Sequence, residues 1–281
     1  MNHVAKVSEK IAKVLPEIGH PAFYRSLTTC FESFLQFNEV GIFVYEPENL
    51  PVMVFGDPKP ESQPHLDAFL TGAFLLDPYY VAATKNHKNG FFRLGELAPT
   101  AFKKSEYYRI YYQHSQLQDE CGYLIQTGGG GFVNIELGRT NATFFSNESL
   151  QLLRDIAPLI STITNVHIDK TKSESVQNPR LRTQLESALS QFGTSVLTSR
   201  ETQVVNLILS GHSTRTIAEK LAISPETVKL HRKHAYTKFD INSQSELFYL
   251  FIDALKHMNE QVNEDPLVNY FHKTRLSTSN V

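Results

Sequence analysis

Residues 197–201 read Leu-Thr-Ser-Arg-Glu, residues 213–218 Ser-Thr-Arg-Thr-Ile-Ala, residues 224–234 Ser-Pro-Glu-Thr-Val-Lys-Leu-His-Arg-Lys-His, and residues 243–247 Ser-Gln-Ser-Glu-Leu. This is a series of helix starts that feeds one basic helix. Thr198 with Glu201 three residues on is a capping box: the hydroxyl accepts an orphan amide of the first turn and the carboxylate reaches back to the cap. Ser243 with Glu246 repeats it. Ser224 followed by Pro225 places a cap and then a residue with preset φ and no amide to leave unsatisfied, and Ser213 opens a shorter helix.

Working outward from these caps, apolar residues fall at helical spacing: Val204, Val205, Ile208 and Leu209; Ile217, Ala218 and Leu221; Val228, Ala235 and Phe239; Leu247, Leu250, Phe251 and Leu255. Four short amphipathic helices can share one small core. The joint Ala222-Ile223-Ser224 allows only a sharp turn, which predicts a helix-turn-helix over residues 213–232. On its third helix Lys229, Arg232, Lys233 and Lys238, with His231 and His234, are opposed by the single acid Glu226, although residues 193–258 hold only eight Lys/Arg against six Asp/Glu. Lys229 and Lys233 share a face with Leu230, while Val228, Ala235 and Phe239 point the other way. Such a helix suits a major groove, where lysine donates to guanine O6 and N7 and an apolar side chain meets a thymine methyl. A lysine-rich helix taken alone is a solvated face; the four caps, the tight turn and the one-sided charge together favour double-stranded DNA. His231 and His234 lack a third or fourth ligand at usable spacing, so no metal is expected.

These elements (Leu-Thr-x-Arg-Glu, Ile-Ala-x-x-Leu, Thr-Val-Lys-x-His-Arg and a Lys-Phe pair) resemble the DNA-binding domain of the LuxR family of bacterial transcription regulators. Phe239 stands where leucine is usual, and Asp240-Ile-Asn242 lacks the glycine that usually follows the recognition helix. The resemblance implies base contacts from Lys229, Leu230 and Lys233. Phosphate contacts, which position without carrying sequence information, are expected from Thr198, Ser213, Thr214, Thr227, His231, Arg232 and Lys238. It also implies a homodimer paired through the last helix, with Leu247, Leu250 and Phe251 as the candidate seam.

A length of 281 residues favours two domains, and Cys30 and Cys121 are far apart with no CxxC spacing, which suits a reduced, cytoplasmic protein. The first nineteen residues carry lysines without an apolar h-region, and no run reaches membrane-spanning length. Val4, Val7, Ile11, Val14, Leu15 and Ile18 form a stripe opposite Lys6, Lys10 and Lys13, read as a core-packing first helix. Residues 1–169 hold thirteen Lys/Arg against eighteen Asp/Glu, a poor balance for nucleic acid. The expected division is a sensor or dimerisation domain over 1–169, a polar linker broken by Pro179 over 170–192 with a short helix from Leu181 to Phe192, the DNA-binding domain over 193–258, and a loosely held tail over 259–281.

The N-terminal domain alternates helix and strand signals. Helices are expected over 22–37, near 65–75, over 101–115 and from Ser146 to about Thr164 with a kink at Pro158. Strand-like runs occur at 40–45, 52–55, 123–126 and 132–137, the last two flanking Thr127 and four glycines as a hairpin. The fold class is therefore α+β, an antiparallel sheet with helices on its faces of the GAF-like or PAS-like kind, followed by an all-α four-helix domain. Gly128 to Gly131 leads into a strand and lacks a following Lys-Ser/Thr, so it reads as a turn and not as a phosphate loop. No catalytic set is present (no GxSxG, no HExxH), and neither an enzyme nor a cofactor is expected. Asp77-Pro78 resembles the Asp-Pro of acyl-homoserine-lactone receptors, in which the aspartate accepts the ligand amide; Asp77, Tyr79, Tyr80, Tyr107 and Tyr111 are the candidate ligand residues for a small-molecule effector. Those receptors place tryptophans on the lactone ring and this chain has none, which points to another metabolite. The competing reading is a pure dimerisation or protein-docking module, in which Asp77 is satisfied by backbone amides or tyrosine hydroxyls.

Overall fold

The computed structural model describes residues 3–47, 49–56, 66–67, 69–70, 72–112, 117–140, 144–171, 181–256, 265–268 and 270. The chain forms two compact units, one of residues 1–66, 78–97 and 115–179, the other of residues 67–77, 98–114 and 180–281.

The first unit is built on a five-stranded antiparallel sheet of order β2-β1-β5-β4-β3, with β1 at Glu39–Tyr45, β2 at Val52–Gly56, β3 at Gly90–Arg93, β4 at Asp119–Gln126 and β5 at Phe132–Arg139. Side chains alternate across a strand, so Ile42, Cys121, Tyr123, Ile125, Val133, Ile135 and Leu137 all reach one face. There they form a core with helices α1 (His3–Val14), α2 (Phe23–Glu32), α4 (Asn147–Asp155) and α5 (Ala157–Thr171). The stripe on α1 is used in part: Ile11 and Val14 are buried, whereas Val4 is 68 % exposed. Gly122 sits where the strands approach so closely that a Cβ would lie 1.9 Å from the Ile135 carbonyl oxygen, so only glycine fits. On the opposite face Tyr45 stacks on Phe132 at 4.3 Å between centroids, and Tyr80, from α3 (Pro78–Lys85), tilts against both.

Two sequence expectations are adjusted here, one strand is added and the kink expected at Pro158 is present, each for a local reason. The helix expected to reach Phe37 ends at Glu32, where Ser33 Oγ donates to the Cys30 carbonyl and Phe34 N–H to Phe31, tightening the last turn. Strand β3 has only four residues at the sheet edge, too short for an alternation to be read. The closing helix breaks at Ile156, because Pro158 has no N–H to continue the ladder. Residues 101–112 are not one helix, and 113–115 of the expected span lie outside the described residues: a 3-10 turn at Phe102–Lys104 and a π-helical turn at Tyr108–Tyr112 are set apart by Ser105, which is buried and extended. The Ser105 hydroxyl donates to the Phe102 carbonyl at 2.7 Å and accepts from Tyr108 N–H at 3.1 Å, offering the backbone an alternative to helical bonds.

The second unit contains α6 (Leu181–Gln191), α7 (Ser199–Leu209), α8 (Thr214–Leu221), α9 (Pro225–Phe239) and α10 (Gln244–Lys256). Val204, Val205, Ile208, Ile217, Val228, Ala235, Phe239, Leu247 and Phe251 are buried together, with the Phe192 ring 5.6 Å from Phe239 and 5.2 Å from Phe251. The tail, expected to be loosely held, contributes a docked segment. Asp265 and Leu267 are buried, and the Asp265 carboxylate accepts from Gly193 N–H (3.0 Å), Ser195 N–H (2.8 Å), Ser195 Oγ (2.6 Å) and Leu267 N–H (3.0 Å). Charge-assisted bonds of this kind are among the stronger ones. Asp265→Ala is expected to cost about 2 kcal/mol in a urea titration, since it leaves buried donors unpaired; an unchanged midpoint would mean that the tail contributes nothing.

Candidate nucleic-acid interface and ligand site

Each helix of the candidate interface starts where its cap requires. Thr198 Oγ1 accepts from Glu201 N–H, and Glu201 Oε2 accepts from Thr198 N–H at 2.7 Å, completing the capping box of α7. Ser213 and Ser224 cap α8 and α9 through the N–H groups of Thr216 and Thr227, each at 3.1 Å. The turn between α8 and α9 closes on Ala222 in the left-handed region (φ 52°), with Ile223 N–H bonded to the Ala218 carbonyl. Helix α9 ends on Asp240, also left-handed at φ 55°: aspartate tolerates that conformation better than most residues, and takes the place of the missing glycine.

The face of α9 divides cleanly. Val228, Ala235 and Phe239 are buried; Lys229, Leu230 and Lys233 are exposed and adjacent, Leu230 with half of its surface in solvent. An apolar side chain held in water between two lysines contributes nothing to the core, and the arrangement suits a partner that offers both acceptors and methyl groups. Thr198 is exposed, and Ser213, Thr214, Thr227, His231 and Arg232 are half-buried around the helix starts and along α9. Lys238 has a further bond that sequence reasoning missed: its ammonium donates to Glu201 Oε2 at 2.7 Å. Burial would raise the Glu201 carboxyl, but the Lys238 ammonium and the Thr198 N–H outweigh it and hold it down to about 2. His234 Nδ1 lies 3.9 Å from Glu201 Oε1. Among the described residues no group of three or more His, Cys, Asp or Glu could hold a metal ion. Of the candidate seam, Leu247 and Phe251 are fully buried in the unit's own core and Leu250 is half-buried; the exposed apolar residue of α10 is Tyr249.

The candidate ligand residues divide between the units. Asp77 is 1 % exposed and accepts hydrogen bonds from Tyr107 Oη at 2.9 Å and Tyr112 Oη at 3.4 Å, all within the second unit, with the Tyr111 ring 4.8 Å from that of Tyr107. Tyr112 was not singled out from the sequence, and its spacing from Asp77 gives no local signal. Tyr79 and Tyr80 are buried in the first unit, beside Tyr45 and Phe132 in the case of Tyr80. An open groove between α1 and α4, lined by Val4, Val7, Leu152 and Ile156, contains none of the candidate ligand residues.

An exposed basic helix, presented by a tight turn and backed by a small helical core, defines a helix-turn-helix DNA-binding protein. Residues 195–251 match the bacterial regulatory proteins of the luxR family. The HTH-type transcriptional regulator of the exeN 3' region of Aeromonas salmonicida is 31 % identical over 186 residues, covering 64 % of this chain and 94 % of that protein. This chain therefore belongs to the LuxR family of HTH-type transcriptional regulators. The oxygen regulatory protein NreC of Staphylococcus haemolyticus is 42 % identical over 52 residues, 18 % of this chain, so the chain spans about a quarter (24 %) of NreC. Among solved structures, the VqsR LBD domain of Pseudomonas aeruginosa superposes with a TM-score of 0.52 at 22 % identity, over 60 % of this chain and 98 % of that one, which establishes a shared fold. No helix among the described residues is long and apolar enough to cross a membrane.

Proposed function

We propose that this regulator binds a specific operator as a homodimer in the cytoplasm and couples that binding to a small molecule recognised by its N-terminal part. The observation that carries the DNA half is the exposed row Lys229, Leu230 and Lys233 on a helix whose other side is core. In this reading those three side chains meet base edges. Thr198, Ser213, Thr214, Thr227, His231 and Arg232 meet phosphates, and Lys238, anchored on Glu201, reaches the backbone with its remaining N–H bonds. One module covers a few base pairs, so two are needed to meet successive major grooves about 34 Å apart. Because Leu247 and Phe251 serve the core, the seam falls on the outward side of α10, with Leu250 and Tyr249.

The ligand half is supported by the fold shared with the VqsR LBD and by a buried carboxylate, Asp77, ringed by tyrosines. A second reading, in which the N-terminal part only pairs or docks, is favoured by the tyrosine hydroxyls that already satisfy Asp77. Selection of bound duplexes from a random pool, followed by sedimentation, tests the DNA half. Two-fold symmetric sites that hold two chains are expected, and a saturated single half-site holding one chain would remove the dimer. A thermal-shift screen of the full-length chain against metabolite classes tests the ligand half. A raised midpoint that Asp77→Asn abolishes supports the sensor, and a screen without any raised midpoint supports the docking module.

A further inference from the structure

One face of the sheet in the first unit turns away from the helical core. Strand register sets it out in rows: Glu39, Gly138 and Glu120 lie side by side, then Gly41, Glu136 and Gly122, then Phe43, Asn134 and Leu124. Tyr45 and Phe132 begin the next row. Because side chains alternate, all of these leave the sheet opposite Tyr123 and Ile135, which serve the core. Glu136 has a glycine directly beside it on both neighbouring strands, and a Cβ at Gly41 would lie 3.6 Å from its Oε2. The space along this carboxylate is thus left clear by its strand partners. Glu39 and Glu120 are its diagonal neighbours, within reach of long side chains, where like charges repel. The two arginines of the sheet are on the other face: Arg93 pairs in register with Cys121 and grips Asp119, and Arg139 lies over the Phe145 ring. At the β3 edge the Lys88 ammonium rests over the Phe92 ring, 5.9 Å from its centroid.

Asn134 is the residue here that calls for a partner. It is wholly buried; its Nδ2 donates to Glu136 Oε1 at 2.5 Å, whereas its Oδ1 accepts no hydrogen bond from the described residues. Turning the amide over would set oxygen against oxygen, so the Glu136 carboxylate fixes its orientation and leaves the acceptor orphaned. A buried acceptor without a donor is costly, and nearly all such groups in folded proteins are satisfied.

We propose that the sheet face around Asn134 and Glu136 binds a small organic cation, a primary amine with an apolar body, whose ammonium is shared between Asn134 Oδ1 and the Glu136 carboxylate. This rests on the reading above that the N-terminal part recognises a small molecule, and it names the class. An ammonium offers three donors and no acceptor, which suits an orphaned carbonyl beside a carboxylate. Phe43 stands next to Asn134 in register, and Tyr45, stacked on Phe132, follows, so an aryl or alkyl body running along the sheet meets aromatic surface. An anionic effector would instead face three glutamates. A metal ion is the poorer match, since no group of three or more His, Cys, Asp or Glu among the described residues could hold one.

The test measures thermal midpoints and equilibrium dissociation constants of the full-length chain with 2-phenylethylamine and octylamine, and with the isosteres 2-phenylethanol and 3-phenylpropionate. At least one amine is expected to raise the midpoint, its neutral isostere to do so less, and the acid not at all. Glu136→Gln, which keeps the size and removes the charge, is expected to weaken the amine by about tenfold or more. Asn134→Leu, of similar volume, is expected to lose the amine response while raising the midpoint of the ligand-free chain, because it removes the orphaned acceptor. Amine binding that both variants leave unchanged overturns the site. A stabilised Asn134→Leu in a chain that no amine affects also overturns it, and leaves the acceptor as a seat for water. Should a variant fail to fold, the wild type decides, and an equal response to amine and alcohol overturns the proposal. If anionic or neutral metabolites raise the midpoint and amines do not, the proposal fails and the ligand reading stands; if no class of metabolite does, both fail.

Discussion

Lys229→Ala in the full-length chain is expected to keep its affinity for random duplex within a few-fold while its preference for the operator collapses. A lysine that donates to guanine O6 and N7 contributes about 1–3 kcal/mol of discrimination, a factor of roughly five to 150 in the ratio of operator to random binding. Lys233→Ala, one turn further along the same exposed face, is expected to do the same, and the double variant to approach non-specific binding. Arg232→Ala, by contrast, is expected to weaken both kinds of duplex alike and to reduce the salt slope by about one unit, the signature of a lost phosphate contact. The measurement is a competition titration at two salt concentrations. An unchanged ratio for Lys229→Ala would mean that α9 does not lie in the groove on this face.

The second large effect concerns Glu201, which is 4 % exposed, completes the capping box of α7 and holds Lys238. Its carboxyl titrates at about 2 in the folded chain, below the ordinary carboxylate range of the unfolded one. A group whose folded value is depressed contributes stability that is fully present above the unfolded value and is lost as the pH falls through the folded one. The wild type is therefore expected to lose on the order of 3 kcal/mol from this residue between about pH 5 and pH 2. Glu201→Gln is expected to be less stable by about 2–3 kcal/mol at neutral pH, because it leaves a cap and an ammonium without their acceptor. It should also lack that part of the acid dependence. Urea midpoints at pH 7 and pH 3 for both proteins check it. Lys238→Ala should move the neutral midpoint in the same direction, and an unmoved midpoint would leave the contact at 2.7 Å without energetic weight.

The helix-turn-helix was legible because every start is written locally. Thr198, Ser213 and Ser224 are caps whose partners lie three residues away, and the apolar spacing that follows is the spacing that becomes buried. The central strands were legible for a similar reason, since Val133, Ile135 and Leu137 alternate over a run long enough to read. What escaped the sequence was set by contacts across the chain. Strand β3 exists because β4 offers it an edge, and Arg93 then grips Asp119 with two bonds of 2.7 and 2.8 Å. The stretch 101–112 has helical composition, but the buried hydroxyl of Ser105 divides it into two turns. At the candidate ligand site, Asp77-Pro78 could be read, whereas its tyrosine partners lie 30 and 35 residues away and follow from tertiary packing. Lys238 was recognised as a surface cation, but its acceptor is 37 residues upstream.

The docking of Asp265 bears on the order in which this regulator comes into being. Its carboxylate closes a loop of 72 residues back to Gly193, a long-range contact that forms after the local helices it joins. On the ribosome, helices α7 to α10 emerge with the turn at residues 193–195 still lacking its acceptor, and they gain it only once Asp265 has cleared the exit tunnel. The segments at residues 67–77 and 98–114 have been synthesised long before. These segments, which share the unit with the DNA-binding helices, are thus available before Asp265 can brace the turn at residues 193–195.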